Sequence, residues 1–306
     1  MKKFKRPFIA LHHDAWLILA HFFFCMGLAL LLIGHEAHAN ICVPLPTNNA
    51  KISISPSKND IATIETAIKR LPRGGTLILQ NGTFWIDSLH SISLKSSMTL
   101  RLSPKTILKA KYNNADLSAI INIDRISNVN VIGGMIKGNR YLRKDNGTHS
   151  MGIFISRSRN VVIEQVKSVD NQGDGFYISN KSDNITLCNV ISSNNRRQGI
   201  SITGGTRIKI RGSQFINTQG TNPGCGMDIE PNRGMFVNDV YINASRFSNN
   251  ANCGLVVNSH GAPVSNVLIQ NNRLENNKNG YGLVFAGYIP GLEVYNNITQ
   301  NEVYVK

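Results

Sequence analysis

Gly152-Ile153-Phe154-Ile155, Gly175-Phe176-Tyr177-Ile178, Gly199-Ile200-Ser201-Ile202, Gly226-Met227-Asp228-Ile229, Gly254-Leu255-Val256-Val257 and Gly282-Leu283-Val284-Phe285 are one phrase written six times. Its glycines are 23, 24, 27, 28 and 28 residues apart. Apolar residues alternate after each glycine, the period-two signature of a strand with one buried face. A second ladder alternates in the same way: Asn128-Val129-Asn130-Val131, Asn160-Val161-Val162-Ile163, Asn184-Ile185-Thr186-Leu187, Arg207-Ile208-Lys209-Ile210, Asp239-Val240-Tyr241-Ile242, Asn266-Val267-Leu268-Ile269 and Gly291-Leu292-Glu293-Val294. Asp170-Asn171, Asn194-Asn195, Asn249-Asn250 and Asn276-Asn277 mark turns between the ladders.

A repeat this short leaves no room for a helix, so each unit is one coil of a solenoid. The pattern predicts an all-β fold, a parallel β-helix of about ten coils stacked at about 4.8 Å. Composition agrees: 37 Asn among 306 residues disfavour a helical protein, since Asn is a poor helix former and tolerates left-handed turns. The hydrophobic share of 42% excludes a disordered chain, and 17% charged residues excludes a coiled coil. A solenoid must cover its first rung. Ile61, Ile64, Ile68 and Leu71 share one helical face after Ser57-Lys58-Asn59-Asp60, and Pro72 with Gly74-Gly75 ends it, which predicts a capping helix over 57–71.

The N-terminus reads as a targeting segment. Lys2, Lys3, Lys5 and Arg6 precede an apolar run from Ala15 to Ile33, and Ala37-His38-Ala39 fits a cleavage site before Asn40. The expected organisation is a signal peptide at 1–39, a lead-in at 40–56 and the β-helix at 57–306. The alternative is an uncleaved membrane anchor at 15–33. Cleavage lowers the formal net charge only from +15 to +13 and leaves three histidines, His90, His149 and His260. It also leaves Cys42, Cys188, Cys225 and Cys253, for which export permits disulfides. Cys225 and Cys253 precede ladder glycines on adjacent coils, so either a disulfide or two stacked thiols fits.

Asp60-Ile61-Ala62-Thr63-Ile64-Glu65-Thr66-Ala67-Ile68, Leu71-Pro72-Arg73-Gly74-Gly75-Thr76-Leu77-Ile78-Leu79 and Gly82-Thr83-Phe84 resemble the opening of the pectate-lyase-like superfamily. That group includes polygalacturonase-like hydrolases, alginate epimerases and phage tailspikes. The resemblance covers about residues 53–305 and implies a single-stranded right-handed parallel β-helix; it does not fix a reaction. Asn171-Gln172-Gly173-Asp174-Gly175 resembles the Asn-Thr-Asp-Gly segment that carries a catalytic Asp in polygalacturonase-like enzymes. The next coil departs from that family, with Arg196-Arg197-Gln198-Gly199 in place of paired aspartates. Against alginate epimerases, Tyr177, Ile178 and Ser179 replace the Asp-Pro-His that follows their Gly-Phe.

Read from the residues themselves, the strongest candidate site is Gly224 to Asn232. Met227 and Ile229 point inward, so Asp228 and Glu230 are expected outward, about 6.6–7 Å apart along the strand. Asp174 is expected on the same stripe two coils earlier. Such carboxylates suit general acid–base catalysis or a calcium ion; the bland alternative is a solvated sheet face paired with Arg197 or Arg233. Lys137, Arg140, Arg143, Lys144 and His149 lie on or beside a lengthened coil, where cations suit uronate carboxylates and His149 suits proton transfer. His260 follows one coil after Glu230, and Tyr177, Tyr281 and Tyr288 are candidate sugar-stacking residues.

The expected function is an exported protein that processes an acidic, uronate-containing polysaccharide as lyase, hydrolase or epimerase. The competing expectation is a non-catalytic glycan-binding β-helix protein. Nucleic acid is not an expected partner, because no recognition motif accompanies the charge. A membrane is expected only through the N-terminal segment if it stays uncleaved.

Overall fold

The computed structural model describes residues 42, 48–112, 117–141 and 149–305. The proposed signal segment and Arg143 and Lys144 lie outside them. The described chain is an all-β parallel solenoid of about nine turns with one short helix, as the ladders require.

Three parallel sheets form its walls. Sheet A has ten strands and contains the second ladder; sheets B and C have nine each, and sheet C contains the Gly ladder. Each coil runs A to B to C. Registers follow the repeat without slippage: Ile155 pairs with Ile178, Ile178 with Ile202, Ile202 with Ile229 and Ile229 with Val257. These Ile and Val side chains are fully buried, each contributing roughly 1.5–3 kcal/mol by leaving water. Phe215 and Phe247 stack with centroids 5.3 Å apart inside sheet B.

Corners explain the asparagines. Asp170, Asn194, Asn217, Asn249 and Asn276, at the B-to-C corner, all have φ between 56° and 59°, a region Asn tolerates better than most side chains. The next residue in several of these turns faces inward and builds an amide ladder. Asn171 Nδ2 donates to Asn195 Oδ1 at 2.8 Å, and Asn250 Nδ2 to Asn277 Oδ1 at 3.0 Å. Gly175 is required by close approach: a Cβ there would meet Ser192 Oγ at 2.0 Å and the Gly199 carbonyl at 2.7 Å.

The capping helix runs Asp60–Arg70, with Asn59 as N-cap accepting from the Ala62 N–H. It begins three residues later than expected because Asn59 is the residue that caps it; the buried Asp60 carboxylate accepts from the Ser57 and Trp85 N–H groups at 2.6 and 2.7 Å. The lead-in is more than a tether. Its strand Lys51–Ile54 pairs in register with Thr76–Leu79 and starts sheet A ahead of the helix. Cys225 and Cys253 form a disulfide, which resolves the two readings above. A second disulfide, Cys42–Cys188, ties the lead-in to the end of a sheet A strand.

Candidate functional site

The outward row of sheet C runs Asn122, Phe154, Tyr177, Ser201, Asp228, Val256. Neighbours on such a row are about 4.8 Å apart. Phe154 and Tyr177, both half-buried, lie with ring centroids 5.7 Å apart. Ser201 and Asp228 follow on the next two rungs. An aromatic pair therefore sits beside a hydroxyl and a carboxyl on one line.

The outward expectation for Asp228 and Glu230 holds for one of them. Glu230 is exposed and accepts from Asn258 Nδ2 at 2.8 Å. Asp228 occupies an outward-facing strand position yet is only 2% exposed, because the groups that come from the preceding B-to-C corner crowd it. Gln198, wholly buried, donates from Nε2 to Asp228 Oδ2 at 3.2 Å and accepts the Cys225 N–H at Oε1 at 2.9 Å. The same Gln198 donates its backbone N–H to Asp174 Oδ1 at 3.0 Å.

Asp174 is not on the Asp228 row. Two coils back that row holds Tyr177, and Asp174 lies three residues earlier in the fully buried corner. Sequence spacing counted coils correctly but missed the chain's bend between corner and strand. Asp174 and Asp228 are joined instead through Gln198, a residue the sequence reading passed over. Its signal was present: a Gln immediately before a ladder glycine, where Asp174 stands one coil earlier. Arg197 Nη1 pairs with Asp174 Oδ2 at 3.0 Å.

Electrostatics set the two carboxyls apart from ordinary ones. Burial, then the neighbouring Glu230 charge, push Asp228 up to about 7, with Arg197 opposing. Burial also raises Asp174, against the pull of Arg197 and His149. Asp228 Oδ1 is buried with no hydrogen-bond partner among the described residues, while the Ser201 hydroxyl on the adjacent rung favours the Asp174 carboxylate by hydrogen bonding. Unsatisfied buried polar atoms cost about 1–3 kcal/mol each, which marks this spot as one that a ligand or water would complete.

The other predicted residues disperse. His149 opens the sheet C strand His149–Ser156, exposed, with its backbone against Gly173 and its ring near enough to Asp174 to favour that carboxylate. Arg140 is a corner brace, donating to the Asn194 and Gln219 carbonyls at 2.6 and 2.7 Å, so its guanidinium is spent on the backbone. Lys137 pairs with Asp170 at 3.5 Å, on sheet B and away from the Asp228 row. His260 is exposed at the C-to-A corner; its N–H donates to Asn258 Oδ1, the same Asn258 that donates to Glu230. Tyr281 and Tyr288 are exposed and off the row. Arg233, the other proposed partner of the acids, is exposed and makes no ion pair among the described residues. Among those residues no three His, Cys, Asp or Glu side chains gather to hold a metal ion.

The chain matches the family described as "Right handed beta helix region" over residues 73–234 and 119–299. It is 27% identical over 186 positions to the uncharacterized protein YclG of Bacillus subtilis (strain 168), covering 51% of this chain and 32% of that one. An iota-carrageenase complexed to iota-carrageenan fragments superposes with a TM-score of 0.58 at 16% identity, over 83% of this chain and 62% of the enzyme. The Family 28 exopolygalacturonase of Yersinia enterocolitica superposes with a TM-score of 0.57 at 14% identity, over 84% and 60%. The chain thus spans less than two thirds of each of these proteins.

Proposed function

The chain belongs to the right-handed β-helix family, and from that premise we propose that it cleaves an acidic, uronate-containing polysaccharide on the sheet C face. The observation that carries the reading is the pair Asp228 and Glu230: two carboxyls on one strand, one buried and pushed up to about 7, the other exposed. Groups whose environments separate their pKa values divide the acid and base roles between them. Asp228 is then the general acid that protonates the glycosidic oxygen. Glu230 is the base that activates water, its Cα about 6.6–7 Å along the strand from that of Asp228. Ser201 would hold a sugar hydroxyl and the Phe154–Tyr177 pair a sugar face. Arg197 and His149 supply positive charge for uronate carboxylates.

Two similar folds with polysaccharide-degrading names, an iota-carrageenase and an exopolygalacturonase, support polysaccharide processing in general. Export completes the proposal, with residues 1–39 as the signal peptide. The two disulfides fit an oxidising compartment.

The test is incubation with polygalacturonate, alginate and iota-carrageenan, following reducing ends, unsaturated uronate absorbance and C5 configuration by NMR. New reducing ends without unsaturated product, abolished in Asp228→Asn, support the reading. Unsaturated product would move the reaction to β-elimination. No change on any substrate would leave non-catalytic glycan binding, which the burial of Asp228 favours: a substrate touches Asp228 only after its cover shifts.

A further inference from the structure

A second polar surface lies away from the Asp228 row, along the C-to-A corner of the early coils. Two clefts open there, of about 470 and 430 Å³, and share Ser127 as a common wall. The first is lined by Arg73 and Lys95 with Ser96 and Ser97, the second by Arg125, Arg157, Arg159 and Lys181 with Asp183. Register makes this a ladder. Ser127 pairs with Arg159 and Arg159 with Asp183, while Arg125 and Arg157 follow the paired residues Asp124 and Ser156. Successive coils, stacked about 4.8 Å apart, each bring at least one cation to this corner: Lys95, then Arg125, then Arg157 with Arg159, then Lys181.

The ladder is only partly neutralised. Arg157 holds Asp124 at 2.8 Å, and Arg125 reaches the same carboxylate at 3.7 Å. Arg207, one coil beyond, holds Asp183. Among the described residues no carboxylate pairs with Arg73, Arg159 or Lys181, and these three are exposed. Six cations thus line the two adjoining clefts against Asp183 in the lining and Asp124 beside it, and one of the six, Lys95, donates to the Leu71 carbonyl. A solvated surface would interleave both signs to limit such self-repulsion; a polyanion removes it.

We infer that this trough is a binding site for a linear anionic glycan, one acidic sugar per coil, separate from the Asp228 face. The placement of the cations carries it, whatever the chemistry of the Asp228 face. The rung repeat is close to the length of one pyranose unit, so an extended chain laid along the axis meets a cation at each sugar. Single-stranded nucleic acid is the other polyanion of this shape, but its binding uses aromatic platforms for the bases, and neither cleft has an aromatic lining residue. Serines 96, 97 and 127 suit sugar hydroxyls instead.

The test measures binding of polygalacturonate, dextran and a single-stranded oligonucleotide by affinity electrophoresis and calorimetry at low salt, with the intact protein. Three variants are compared: Arg125→Ser/Arg159→Ser/Lys181→Ser, a control removing three exposed cations elsewhere (Lys105→Ser/Lys167→Ser/Arg246→Ser), and Asp228→Asn. Circular dichroism checks that each is folded. The trough variant should weaken polygalacturonate binding about tenfold, as three partly exposed charge contacts allow. The control should stay within about twofold, and dextran should not bind. Equal weakening by trough and control variants would overturn the proposal, as would an oligonucleotide binding at least as tightly as polygalacturonate. Asp228→Asn is read by cleavage and the trough and control variants by binding, so that either reading can fail without the other.

Discussion

Gln198 Nε2 donates to Asp228 Oδ2 at 3.2 Å, and through that bond two buried acids on different coils are parts of one network. The Gln198 backbone N–H is given to Asp174, and its Oε1 takes the Cys225 N–H. All three hydrogen bonds lie in buried surroundings, where an unmade one is not replaced by water.

Gln198→Met keeps the volume and removes the amide. It strands the Cys225 N–H and leaves Asp228 without a donor. We expect a loss of about 1–3 kcal/mol in urea unfolding, with little change for Gln198→Glu at low pH, where the new carboxyl is protonated and still donates to Asp228. An unaltered midpoint for Gln198→Met would show that the network carries no stability.

The pH dependence follows from Asp228. The native carboxyl keeps its proton up to about 7, whereas the unfolded chain releases it near 3.8. Between those values the native state binds more protons, so this group makes stability fall as pH rises from about 4 to 7. Asp174 is raised too and acts in the same direction. Asp228→Asn should flatten the profile, gaining up to about 4 kcal/mol over wild type at pH 8 relative to pH 4, an upper bound from a shift of about three units. Unfolding at pH 4, 6 and 8 measures it. Cleavage, if Asp228 is the acid, should decline above about pH 7.

Arg197 pairs with the buried Asp174 and its charge also favours the Asp228 carboxylate. Arg197→Gln removes the partner of Asp174 and the counter-charge of Asp228. Breaking a buried pair from one side costs about 3–5 kcal/mol. The loss should shrink at acid pH, where both carboxyls can protonate; a loss independent of pH would assign Arg197 a packing role.

The two disulfides should differ. Cys42–Cys188 spans 146 residues and Cys225–Cys253 spans 28. On loop entropy alone, losing the first costs about 1.5 kcal/mol more than losing the second. Paired Cys→Ser variants compared by thermal unfolding, with bridges verified by peptide mass mapping, decide whether the longer closure dominates.

The fold was legible because a solenoid repeats its physics. Each coil meets the same neighbours, so Ile155, Ile178, Ile202 and Ile229 announce one buried column by period alone. The strand Lys51–Ile54 escaped notice because four residues outside the repeat carry too little pattern. At the site, the sequence singled out Asp228, Glu230, Asp174 and Arg197; Asp174 and Arg197 pair directly, and Asp228 joins them only through Gln198. Arg140 and Lys137 read as ligand-facing cations because sequence cannot tell a charge aimed at solvent from one bracing a carbonyl, as Arg140 does, or paired with a neighbouring acid, as Lys137 is.

What the chain determined by itself is everything that depends on spacing: strand periodicity, coil length, the turn asparagines and the pairing of Cys225 with Cys253 as one of two outcomes. What only the tertiary structure decided is burial. Alternation sends Asp228 outward, and outward on an isolated strand means wet. Arg197 and Gln198, delivered by the preceding corner, close over that face and leave the carboxyl dry. Its proton affinity is therefore raised by burial that involves Gln198, thirty positions away in sequence and one rung away in space, and by the charge of its near neighbour Glu230.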